Sequence, residues 1–102
     1  MSNNVLNPTR EILTLTNANT QYSWTPPANV GYFSVQARTS ADVRVATVTG
    51  KVATPTDPYG TIKAGQVFNS PERMILPPGT IFYFATGTAG TILEIEYWLQ
   101  VS

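Results

Sequence analysis

The chain has no cysteine and no histidine. Without cysteine there is no disulfide, no thiolate nucleophile and no thiolate-held metal, and the redox compartment leaves no trace in the sequence. Without histidine the commonest general base and metal ligand are missing, and no Ser-His-Asp triad can be assembled. Charge is also scarce. Charged residues make up 12% of the chain, where an average soluble domain has about a quarter. Six basic and six acidic residues leave a formal net charge of zero. No basic field is available to attract phosphate, so a nucleic-acid partner is not expected. The longest uncharged apolar run, residues 81–85, is too short to cross a bilayer, and no membrane association is expected. The opening Met1-Ser2-Asn3-Asn4 has neither a basic nor an apolar region, so no secretory signal is expected there. The seven glycines are scattered and form no phosphate-binding loop. Asp42 and Asp57 stand alone, without the oxygen-ligand spacing of a Ca²⁺ loop. Neither a metal nor a cofactor is expected.

What the chain does have is alternation. From Leu93 onward, Leu93, Ile95, Tyr97, Leu99 and Val101 share one side, and Glu94, Glu96, Trp98 and Gln100 share the other. Side chains of a strand switch faces at every residue, so this pattern marks a strand with one buried face. Its length and apolarity place it in the middle of a sheet, with the other strands arranged around it.

Further strands are expected at residues 10–15, with Leu13 and Leu15 inward, and at 21–25, with Tyr22 and Trp24 on one face. Pro26-Pro27 ends the second, because neither residue can donate to a ladder. Residues 32–39 and 41–48 alternate and are expected to form a hairpin across the link at residues 39–41. In that hairpin Arg38 would face Asp42 or Arg44. Residues 50–60 hold two prolines and two glycines and are expected to be irregular. Short strands follow at 61–63, 66–69 (Val67 inward), 73–76 and 81–85, the last apolar on both faces. No stretch has helical periodicity with caps. Fifteen threonines suit strands better than helices. The expected fold is an all-β, single-domain antiparallel β-sandwich, jelly-roll-like, of about eight short strands. Residues 1–9 are expected to be an extended arm, with Val5 and Leu6 its sticky points, and residues 10–102 the sandwich.

Candidate chemistry is sparse. Glu94 and Glu96 share a face, and Glu11 could lie nearby; two carboxylates at such a separation can hydrolyse glycosides, but on a strand they also simply make a polar face. No enzymatic activity is expected. Trp24, Trp98, Tyr22, Tyr32, Tyr59, Tyr83 and Tyr97 could supply a sugar-stacking platform, a core or an interface. Trp98, on the glutamate face, reads as an interface anchor, a residue covered by a loop, or a ligand platform. Tyr59, at the tip of a proline-stiffened loop, either touches a partner or folds back over the sandwich. The candidate interface residues are therefore Val5, Leu6, Tyr59 and Trp98. A surface of Thr, Ser, Asn and Gln with few ionised groups is cheap to dehydrate, which suits a protein packed against others.

Three stretches carry a resemblance: Ile12-Leu13-Thr14-Leu15-Thr16-Asn17-Ala18-Asn19-Thr20-Gln21-Tyr22, Phe33-Ser34-Val35-Gln36-Ala37-Arg38-Thr39-Ser40-Ala41-Asp42-Val43-Arg44 and Leu76-Pro77-Pro78-Gly79-Thr80-Ile81-Phe82-Tyr83-Phe84-Ala85. They resemble small all-β virion proteins of tailed bacteriophages, some of which are cement or decoration proteins on the outer capsid. The resemblance implies a structural role on the virion surface after assembly in the host cytoplasm. It implies the major capsid protein as partner, and a homo-oligomer, with a trimer favoured over a dimer because a lattice offers three-fold positions. It transfers no functional residue. The alternative is a tail-associated or receptor-binding module that recognises host surface glycan.

Overall fold

Strands Val5–Leu15 (β1), Tyr22–Trp24 (β2), Val30–Ala37 (β3), Val43–Ala46 (β4), Gly60–Ile62 (β5), Val67–Asn69 (β6), Phe82–Thr86 (β7) and Thr91–Val101 (β8) make up all the regular structure among the described residues. The computed structural model describes residues 5–28, 30–70 and 79–101, and within them the side chains between residues 9 and 98. One four-stranded sheet has the order β1-β8-β3-β6 and the other β2-β7-β4-β5. The first strand pairs with the last, the second with the second-last, the third with β6 and the fourth with β5, all antiparallel. The chain is therefore one long antiparallel ribbon, bent so that successive segments fall in alternate sheets. Pairing of β3 with β8 and β4 with β7 closes each sheet. This is the connectivity of a jelly roll.

The bends are joined across the ribbon as well. At one of them the Asn19 amide donates to the Thr86 carbonyl at 2.7 Å. At another the Ala64 amide donates to Asp42 Oδ1 at 2.8 Å. The second bend explains why residues 32–48 do not form the expected hairpin. β3 and β4 lie in different sheets, and residues 38–42 carry the chain between them. The link has no Gly or Asn to favour a tight hairpin turn. Val35 and Val43 instead meet in one core between the sheets. Arg38 pairs with Glu94, and Asp42 lies 3.9 Å from Lys63, so no Arg38–Asp42 ion pair forms.

Two other expectations shift. β1 begins at Val5, not at residue 10, because the backbone from Val5 onward runs in unbroken register with β8. Only residues 1–4 of the expected arm fall outside the described residues, as do the expected strand at 73–76 and the side chains of Val5 and Leu6. In β6 the faces are reversed. Val67 is 46% exposed, while Phe68 stands opposite Val35 and packs on the core. A one-residue slip moves every side chain of a strand to the other face, and the neighbouring apolar pair Val67-Phe68 leaves the sequence pattern neutral between the two.

As expected, β8 is an inner strand, and Leu93, Ile95 and Tyr97 are buried. Leu15, Trp24, Phe33, Val35, Val43, Phe82 and Phe84 complete the core with them. Its centre is aromatic: Phe33 meets Trp24 and Phe82 edge-to-face at centroid distances of 5.2 and 5.1 Å, contacts worth about 0.5–1.5 kcal/mol each beyond simple burial. Ser70 is buried because its Oγ accepts from the Phe33 amide at 2.8 Å. The reversed register of β6 has a direct consequence. Phe68→Ala is expected to cost at least about 2 kcal/mol, and Val67→Ala under about 0.5 kcal/mol. Urea unfolding midpoints of the two variants check this; equal losses would contradict the register.

Candidate functional site: the open sheet face

The two sheets treat their outer faces differently. On the β2-β7-β4-β5 sheet, Tyr83 and Ala85 alternate outward from Phe82 and Phe84, and Ala46 stands beside Tyr83. The irregular segment between β4 and β5 folds over them. Val52 is fully buried against Ala46 and Ala85, and Tyr59 packs on the same cluster. Polar anchors hold the segment there. Arg44 Nε donates to the Val52 carbonyl at 2.6 Å, and its guanidinium also reaches Asn19 Oδ1 at 2.8 Å. The Gln21 side chain donates to Thr49 Oγ1 and accepts from the Gly50 amide. Tyr59 thus folds back over the sandwich and stays half-buried.

The outer face of the β1-β8-β3-β6 sheet has a different character. Register alone assembles it. Arg10 and Ser34 flank Glu96, Ile12 and Gln36 flank Glu94, and Tyr32 stands beside Trp98. Asn69 and Val67 extend the face onto β6. Trp98 and Tyr32 are half-buried, and Ile12 and Val67 are among the few large apolar side chains left exposed, at 50% and 46%. Sequence alternation places Trp98 with the glutamates. Tyr32 joins it through the β3·β8 register, and Ile12 through β1·β8, neither of which is local.

Every charge described on this face has a neighbour of opposite sign. Arg10 pairs with Glu96. Arg38 Nε donates to Glu94 Oε2 at 3.0 Å and Gln36 Nε2 donates to Glu94 Oε1 at 3.0 Å. Tyr32 donates to Asn69 Oδ1 at 3.1 Å. The result is a surface whose described charges are answered within it. Glu11 is not part of it. Glu11 stands opposite Ile95 on the inner face. There it accepts from Trp24 Nε1 at 3.3 Å and from the Tyr97 hydroxyl. Burial pushes the Tyr97 phenol above its ordinary value, and Glu11 adds to the shift.

The arrangement has a chemical meaning. A glycosidase pair needs one carboxyl held protonated near neutral pH. Glu94 moves the other way: the hydrogen bond from Gln36, and then that from Arg38, hold its carboxyl below the ordinary 4.5. Glu94 and Glu96 act as ion-pair acceptors. A comparison of the chain with known protein families, characterised proteins and solved structures finds no match in any of the three.

The lowered Glu94 value links acid to stability. The folded state holds this proton less readily than the unfolded chain, so the contribution is present above pH 4.5 and is lost as pH falls through the lower folded value. The Glu94 carboxyl is expected to titrate by NMR with a midpoint below 4.5, and Glu94→Gln to flatten the loss of stability in acid. A midpoint at or above the ordinary value would contradict the pairing.

Proposed function

We propose that this protein is a capsid cement or decoration protein of a tailed bacteriophage, docking through the outer face of its β1-β8-β3-β6 sheet onto the major capsid protein. The observation that carries this reading is the difference between the two outer faces. One is closed by the protein's own segment around Val52 and Tyr59; the other keeps Trp98, Tyr32, Ile12 and Val67 at the surface between ion pairs already made. Such a face is suited to burial against protein. Its carboxylates keep their partners when water leaves, so little uncompensated charge is desolvated. Aromatic residues supply the anchors common at the centre of interfaces.

The sequence resemblance supplies the virion context, and the jelly roll agrees with it without selecting it. Jelly rolls serve in viral capsids and in lectins alike, and function has to be argued from the site. A glycan reader presents aromatic faces in a concave groove with unspent polar groups. Here the polar groups beside the aromatics are engaged with one another.

Binding to an assembled shell stabilises that shell by mass action. The test is co-sedimentation of the protein with phage heads assembled without it. Saturable binding at a fixed ratio to the major capsid protein is expected. Trp98→Ala is expected to weaken it by about tenfold or more, and Tyr59→Ala to lower thermal stability while leaving occupancy unchanged. Absence of binding to heads, together with saturable glycan binding by the isolated protein, would replace this reading with the tail-module alternative.

A further inference from the structure

We infer that β1 is a self-pairing edge, and that two copies of this chain join through it in an antiparallel, two-fold dimer centred on Ile12. The inference stands on strand geometry and does not depend on the capsid reading.

The two sheets end in four edge strands: β1 and β6 in one, β2 and β5 in the other. β2, β5 and β6 are three residues long, and β1 is eleven. Very short edges are one way proteins stop sheets from adding further strands. β1 lacks that protection. Among the described residues it pairs with β8 alone.

The parity of the ladder shows which groups face out. Leu15 is paired with Thr91, and its carbonyl accepts from the Gly90 amide. The left-handed Gly90, at φ 80°, is the extra residue that lets β8 start in this register. The register then runs to Val5 without a shift. The odd-numbered residues of β1 therefore bond to β8, and the even-numbered ones aim their N–H and C=O groups at the open edge. Pro8 is even-numbered. It occupies an edge-facing position, where the lack of an N–H breaks no internal bond and where edge strands tolerate proline. Beyond it, Arg10, Ile12 and Thr14 each offer both a donor and an acceptor.

Charge and chemistry choose the register. In an antiparallel two-fold pair, opposed residues share a face. Centring the pair on Arg10 opposes two arginines, and centring it on Glu11 opposes two glutamates; like charges directly opposite are unfavourable. Centring it on Ile12 opposes Ile12 to Ile12, Arg10 to Thr14 and Glu11 to Leu13. This register uses every complete edge-facing residue beyond Pro8, makes about six ladder hydrogen bonds, and covers the half-exposed Ile12 with its own copy. Pro8 ends the ladder. The two open faces then form one continuous surface across eight strands. The three-fold association suggested by lattice geometry does not arise from this edge, whose symmetry is two-fold.

The test uses the full chain. Sedimentation equilibrium is expected to show a concentration-dependent dimer. Ile12→Lys opposes two charges at the axis and is expected to raise the dissociation constant by roughly tenfold or more. The side chain is half-exposed in the monomer, so circular dichroism, and thermal unfolding at dilutions where both proteins are monomeric, should remain as in the parent. Because the chain has no cysteine, single cysteines report the register without background. Ile12→Cys is expected to cross-link to itself under mild oxidant, and Thr14→Cys, opposite Arg10, to remain uncross-linked. A monomer at all concentrations would overturn the inference. So would a dimer indifferent to Ile12→Lys, or self-cross-linking at position 14 instead of 12.

Discussion

Along the whole of β1, each residue stands opposite one residue of β8, without a bulge. That register decides which side chains reach the interior, because a strand has only two faces and a slip of one residue exchanges them. It sends Leu13 and Leu15 inward beside Leu93 and Thr91, and it sends Arg10 and Ile12 outward beside Glu96 and Glu94. β3 takes its faces from the same strand, with Val35 opposite Ile95 and Tyr32 beside Trp98. The aromatic centre and the open outer face are two consequences of one pairing. The groups that β1 aims away from β8, for which no partner is found among the described residues, are a third.

The second determinant is where the irregular segment goes. A sandwich has two outer faces, and the long irregular connection whose course is described is the one between β4 and β5. That connection covers the sheet whose strand β7 is apolar on both sides. Phe82 and Phe84 enter the main core, and Ala85 and Tyr83 need a cover, which Val52 and Tyr59 provide. Arg44 fastens the cover by reaching the Val52 carbonyl. Nothing comparable is described over the opposite sheet. There the residues beside Trp98 answer each other's charges within the plane of the sheet.

Much of this was legible in the sequence, and the exceptions have a common cause. Strict alternation in Leu93, Ile95 and Tyr97 marked the inner strand, and the doubly apolar run ending at Ala85 marked a strand buried on both sides. Both signals are local. The link at residues 39–41 has the sequence pattern of a hairpin because each flanking strand alternates correctly; whether they pair or diverge depends on partners far along the chain. Val67 and Phe68 are adjacent and apolar, so their pattern could not choose a face, and only the pairing with β3 does. Tyr59 carried two readings, and Ala46 and Val52, to which it packs, are not close enough in sequence to show a period. The open face was half visible, as Trp98 with Glu94 and Glu96. Its other members come from different strands and needed the sheet order.

The central claim is that the β1-β8-β3-β6 face, not the loop-covered one, meets the partner. Hydroxyl-radical footprinting of the protein free and bound to phage heads tests it most directly, because aromatic side chains on both faces report. The account predicts that Trp98 and Tyr32 lose reactivity on binding while Tyr59 and Tyr83 keep theirs. Protection of Tyr59 and Tyr83, with Trp98 and Tyr32 unchanged, would contradict it.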